Sequence, residues 1–112
     1  MAQIQLNQEA IFKTILSQMG DYNRINAMIG IKNLISCNDE NKPFIQFGWK
    51  VKGSKNKSNK VKIILDLNFD NYIVEFWQIK KFDFNLVSTH SDIYADSLIE
   101  LFEHETQLAL SL

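Results

Sequence analysis

The sequence predicts an α+β domain, an antiparallel meander sheet of three to five strands with an N-terminal and a C-terminal helix packed on one face. Three observations predict it. Residues 8–19 space their apolar side chains as a helix does, residues 44–52 and 61–67 alternate apolar and polar as half-buried strands do, and residues 92–105 return to helical spacing. Helices at both ends with a meander between them leave one sheet face covered and the other open.

Asn7 is placed to cap the first helix, whose stripe is Ile11, Phe12, Ile15, Leu16 and Met19, and Gly20 stops it. Asp21 starts a shorter helical turn through Arg24, Ile25 and Met28, ended by Gly30. Residues 31–35 are apolar but too few for periodicity to decide between strand and helix. Ser36 to Pro43 is a polar turn segment, with Pro43 suited to open a strand. In the strand Phe44 to Lys52, Ile45, Phe47, Trp49 and Val51 form the inward face. Residues 53–59 make a long hairpin tip, after which Val61, Ile63, Leu65 and Leu67 resume the pattern opposite Lys60, Lys62 and Asp66.

Residues 68–71 supply turn chemistry before Tyr72 to Lys80, which is β-branched and aromatic on both faces except at Glu75 and therefore reads as a central strand. One of its two sets, Val74 with Phe76 or Trp77 with Ile79, must find cover other than the main core. Phe84 to Thr89 suggests a short edge strand. Ser91 or Asp92 then caps a last helix with Tyr94, Leu98, Leu101 and Phe102 on one side.

A chain of 112 residues buries one core, so residues 1–112 read as a single domain. The 46% apolar share excludes low-hydrophobicity disorder. One cysteine, Cys37, excludes an intramolecular disulfide and any multi-cysteine zinc site and suits a reducing compartment. No apolar run approaches the ~18 residues of a membrane span, and no secretory leader opens the sequence. A cytoplasmic location is expected, where the Asn56-Lys57-Ser58 sequon would stay unmodified.

The net charge of -1 gives no global attraction to nucleic acid or membrane, yet charge is segregated along the chain. From 42 to 62 there are seven lysines and no carboxylate. Lys50, Lys52, Lys55, Lys57, Lys60 and Lys62 on the hairpin are candidates for contacting phosphates or an acidic partner. The plainer reading is that lysines blunt an exposed edge, and their company contains no arginine to fork onto phosphate. From Asp83 onward there is no Lys or Arg, and Asp92, Asp96, Glu100 and Glu103 make the last helix an acidic candidate partner surface or a solvated face. Trp49, Trp77, Phe47 and Phe76 either fill the core or, where they project from the open face, offer bases a stacking platform.

Catalytic chemistry is thinly represented. Cys37, His90 and Asp92 could form a nucleophilic arrangement only if the fold brings them together. His104 with Glu100 at i−4 reads as a surface pair, and isolated glycines provide no phosphate loop. No catalytic, metal or cofactor site is expected.

Val61 to Leu65, Tyr72 to Phe76 with Ile79, Ser91 to Asp96 and Thr106 to Leu108, with Asn23-Arg24, Ala27-Met28, Gly30 and Lys32-Asn33 upstream, resemble a family of small uncharacterised proteins encoded by phages, prophages and plasmids. Members carry a basic, Arg-containing, Gly-ended segment after the Glu-Phe strand, from which residues 78–82 depart. The resemblance implies a mobile-element context but gives no residue a role. With it, the leading expectation is a non-catalytic protein-binding module, an anti-CRISPR-like inhibitor of a host protein or ribonucleoprotein complex. The alternative is a single-stranded nucleic-acid-binding protein using the lysine hairpin and aromatics.

Overall fold

The computed structural model describes residues 13–37, 43–66 and 69–108. Helix α1 spans 13–18 of these, and the part of its predicted range before residue 13 lies outside them. It is followed by α2 (Tyr22–Ile29), five strands, β1 (Ile31–Cys37), β2 (Phe44–Trp49), β3 (Lys60–Asp66), β4 (Asn71–Lys80) and β5 (Asp83–Ile93), a 3-10 turn (Ala95–Ser97) and α3 (Leu98–Thr106). The sheet is an antiparallel meander, as the sequence predicts, and its strand order is β1-β2-β3-β4-β5.

One sheet face supplies Ile45, Phe47 and Trp49 of β2, Val61 and Ile63 of β3, and Tyr72, Val74 and Phe76 of β4 to a single buried cluster. The helices cover that face: Ile15 and Met19, Ile25 and Ile29, and Leu98 and Phe102 are all buried in it. Phe102 meets Trp49 edge-on at 5.1 Å between ring centroids and Phe76 at 6.1 Å, an aromatic contact favoured by ring quadrupoles. Tyr72 adds a polar tie by donating its hydroxyl to the Gln18 side chain.

Several local expectations change. Asp21 and Ser97 precede helices without making side-chain caps. The β2 strand ends at Trp49, three residues early, because the Lys50 amide donates to the Ile29 and Gly30 carbonyls and Val51 donates to Ile29. Those carbonyls are the orphan acceptors at the end of α2, and capturing them pulls the chain out of the ladder. Val51 is consequently exposed rather than inward, and Lys50 and Lys52 belong to a loop, not a strand. Gly30, at φ 71°, admits this crossing, since a Cβ there would meet the Lys50 side chain at 3.1 Å.

Ser36 and Cys37, expected in a turn, extend β1; residues 38–42 and Leu67 lie outside the described residues. The expected short edge strand is β5, eleven residues long, so Ser91 and Asp92 lie on it and cap no helix. Tyr94 follows the strand and is exposed. Among the described residues no helix is long and apolar enough to cross a membrane.

Asn59 extends the β3–β4 ladder past its last regular rung. Its backbone amide donates to Trp77 O, and its side chain both accepts from Ile79 N and donates to Ile79 O, each bond at 2.9 Å. The carboxamide replaces a strand peptide. Asn59→Ala should therefore lower the unfolding free energy by about 1–3 kcal/mol, the cost of stranding part-buried partners; denaturant melts that coincide with wild type would refute this role.

Candidate nucleic-acid interface

On the face opposite the core, the register arranges side chains in rows. Lys32, Gly48, Lys60, Trp77 and Leu86 form one row across all five strands, and Ile35, Gln46, Lys62, Glu75 and Thr89 form the next. Ile79 and Phe84 pair beyond them. Trp77 therefore projects from the open face, whereas Trp49, Phe47 and Phe76 are core residues. Its indole N–H donates to Glu75 at 3.2 Å, which fixes the ring's edge, and the half-buried ring lines a concavity on that face.

The loop between β2 and β3 is held at several points. Beyond the Lys50 and Val51 bonds to α2, the Lys55 amide donates to Thr106 O at the end of α3, and Asn59 is sewn to β4. Within the loop Asn56 Oδ1 accepts from Ser54 Oγ, Ser58 N and Ser58 Oγ. The expected flexible finger is thus a strapped loop.

This strapping lays the lysines around three adjoining concavities. The first, about 490 Å³, is lined by Lys32, Lys50, Lys52, Lys57 and Lys80 with Asn59. It shares Lys32 and Asn59 with a second of about 190 Å³, whose floor is Gly48. That one shares Lys60 and Ile79 with a third of about 250 Å³, lined also by Lys62, Gln46, Trp77 and Phe84. No Asp or Glu lines any of the three. Lys62 Nζ lies 4.1 Å from the centre of the Phe44 ring, a cation–π contact on the same face.

Of the predicted basic residues, Lys50, Lys52, Lys57, Lys60 and Lys62 come together here. Lys55 is exposed but lines none of the three concavities; its contribution is the backbone strap. Lys32 and Lys80, which lie outside the hairpin, complete the groove. Only sheet register brings Lys32 alongside Lys60, because Gly48 between them carries no side chain.

The predicted acidic helix is dispersed. Asp92 is on β5, where it accepts from Asn71 Nδ2 at 3.3 Å, and Asp96 is in the 3-10 turn. Glu100 and Glu103 are on α3. Asp96 and Glu100 line two concavities that contain no lysine or arginine and share no residue with the basic groove. His104 and Glu100 line one of them together without an ion pair between them.

Cys37 and His90 sit on opposite edge strands, four strand spacings or about 19 Å apart. The Cys37, His90 and Asp92 arrangement is therefore not assembled. A cluster that the sequence did not announce joins β5 to α3: Ser88 Oγ donates to Glu105 Oε1 at 2.9 Å, and His90 Nε2 lies 3.2 Å from Glu105 Oε1 and 3.3 Å from Ser88 Oγ. A catalytic relay needs the serine and the carboxylate on different ring nitrogens, but here both meet Nε2. The cluster is a clasp between strand and helix. Among the described residues no group of three or more His, Cys, Asp or Glu could hold a metal ion.

In comparisons with known proteins, no family model matches the chain, and neither a curated protein nor a solved structure does.

Partial burial pushes the Glu105 carboxyl up, but hydrogen bonds from Ser88 and His90 and the nearby His90 and His104 imidazoles outweigh it, so Glu105 titrates below its ordinary value. A depressed folded value means that this contribution is complete above the ordinary carboxylate range and is lost as pH falls through the folded value. The stability gap between wild type and Glu105→Gln should thus be larger at pH 7 than at pH 3 in urea melts. An equal gap at both would show that the carboxylate charge adds nothing to the clasp.

Proposed function

We propose that the protein binds single-stranded nucleic acid in the basic groove that runs from the β2–β3 loop at the end of the sheet onto its open face. One observation carries this reading: seven lysines drawn from β1, the strapped loop, β3 and β4 line three adjoining concavities that no carboxylate lines, although Glu75 and Asp83 stand beside them as register partners of Lys62 and Lys80, and the run ends at Trp77 and Phe84. Lysines neutralise backbone phosphates, and an exposed aromatic face stacks an unpaired base. A duplex hides its base faces and gives Trp77 nothing to stack on. Lysine without arginine supplies point charges rather than bidentate forks, which suits backbone tracking.

The other reading, a stoichiometric inhibitor of a host nucleic-acid-directed complex from a mobile element, enlists the acidic side as well. There Asp92 stands on a strand apart from Glu100 and Glu103 on α3, so the single acidic helix it relied on is broken up. The basic groove gained residues in three dimensions, and the acidic surface lost coherence, which favours nucleic acid.

Fluorescent oligonucleotides titrated at low ionic strength test the reading. Each phosphate neutralised on a single strand contributes about −0.7 to the slope of log K against log salt, so seven lysines set a ceiling near about −5. Lys57→Ala or Lys60→Ala should weaken binding and flatten that slope by about 0.7. Tryptophan fluorescence should quench on binding, and Trp77→Phe should remove most of that change, since Trp49, although it borders the first concavity, is only 3% exposed. Absence of binding to any DNA or RNA strand at low salt would eliminate this function.

A further inference from the structure

The third concavity has features beyond charge. Its volume of about 250 Å³ falls below the ~300–1,000 Å³ of sites for drug-sized ligands, so it suits one small planar ring system. Trp77 and Phe84 give it aromatic walls, and Lys60 and Lys62 give it cationic ones. Gln46 is its neutral hydrogen-bonding side chain. No hydrogen bond joins the Gln46 amide to any described residue, and its register partner Lys62 stands on the same face.

Resting on the single-strand reading, we infer that this concavity is a base-reading pocket that prefers pyrimidines, with Gln46 and a neighbouring lysine as its specificity residues. A carboxamide offers one acceptor and two donors, and a half-turn about its last torsion exchanges their positions. It can therefore match either order of donor and acceptor along a base's Watson–Crick edge. An ammonium can only donate, so the group beyond the amide's pair must accept.

In uracil or thymine, Gln46 covers O4 and N3–H, and the lysine meets O2. In cytosine, Gln46 covers the amino group and N3, and the lysine again meets O2. In adenine the corresponding position is C2–H, which accepts nothing. In guanine it is the 2-amino group, which opposes a donor with a donor and leaves both unpaired at a cost. Along the Watson–Crick edge pyrimidines alone satisfy the amide and the ammonium together; a purine does so only by also presenting N7 of its second ring, and the limited space suits a single ring.

The test compares decamers of thymidine, deoxycytidine and deoxyadenosine against wild type and Gln46→Ala at matched salt. Wild type should bind dT and dC about five-fold or more tighter than dA, the lower range of discrimination by a good base contact. Because stacked dA resists any single-strand binder, the decisive quantity is the change in that ratio: Gln46→Ala should bring it close to that of a nonspecific binder while leaving the salt slope unaltered. A Gln46→Ala ratio equal to wild type, or a wild-type preference for dA, would overturn the pyrimidine pocket with nucleic-acid binding intact. Failure of every strand to bind would overturn the underlying function instead. Matching thermal melts exclude misfolding, since Gln46 is half-exposed and outside the core cluster.

Discussion

The capture of the β2–β3 loop by helix ends and strand β4 is the constraint on which the rest of the surface depends. A ten-residue connection rich in Lys, Asn, Ser and Gly would by composition wander. Here its amides are consumed in order: Lys50 and Val51 by the end of α2, Lys55 by the end of α3, and Asn59 by β4. Each bond satisfies a backbone group that would otherwise lack a partner, so closing the loop and finishing the helices are one event. The electrostatics agree with the hydrogen bonding. Two helix C-termini, the negative ends of their dipoles, converge on the segment where the lysines are densest, which favours cations there without an acidic side chain in the groove. Holding the loop therefore leaves the lysines available for the proposed ligand: the backbone amides make the ties, and no carboxylate lines the concavities around the ammonium groups.

The sheet edges restrict what the open face can do. Both edge strands carry irregularities, β1 between Lys32 and Ile35 and β5 at two places opposite Tyr72–Val74 and Phe76–Trp77. In each case the extra residue is on the edge strand, and Asn33 and Asp92 take up positive φ there. Bulged edges pair poorly with a further strand, which disfavours growth of the sheet by edge addition even though Leu34, Phe84 and Leu86 are exposed. The β5 bulge has a second effect. It lets Ser88 and His90 face the core side, where Glu105 holds them, while Leu86 faces the open side beside Trp77. The clasp and the aromatic wall are thus products of the same extra residue.

Architecture was legible from the sequence because it rests on periodicity. The alternation of Ile45, Phe47 and Trp49 with Val61 and Ile63, and the spacing of Leu98 and Phe102, encode burial directly, and the core follows them. Boundaries failed where tertiary hydrogen bonds overrode local pattern. Val51 continues the strand alternation in sequence, but the carbonyls of α2 compete successfully for its amide. Asp92 looks like a helix cap beside Ser91, yet pairing with β4 carries the strand past both. The groove was half legible: a run of lysines is visible in one dimension, whereas Lys32, Lys80 and Gln46 join it only through register. The signal for Lys32 was Gly48, a strand-interior glycine, which marks close approach of other chain. A Cβ at Gly48 would stand 2.9 Å from Asn59 O, so the same glycine lets the loop close over the sheet.

A formal charge of -1 does not weigh against a polyanionic ligand, because what matters is the charge within a screening length of the groove. At physiological ionic strength that length is about 8 Å. Along α3, six residues separate Glu100 from Thr106, the anchor of the basic loop, and at 1.5 Å per residue that is about 9 Å, with Asp96 in the preceding 3-10 turn. The acidic concavities would therefore repel a strand in the groove only weakly, while the lysines would act on it at contact. Two carboxylates are exceptions: Asp83 is the register partner of Lys80, and Glu75 stands opposite Lys62 on the open face itself, where it accepts from the Trp77 indole. Across the ladder it faces Lys62, an opposite-charge pair of the kind that stabilises a sheet, so its place on this face has a structural reason independent of any ligand.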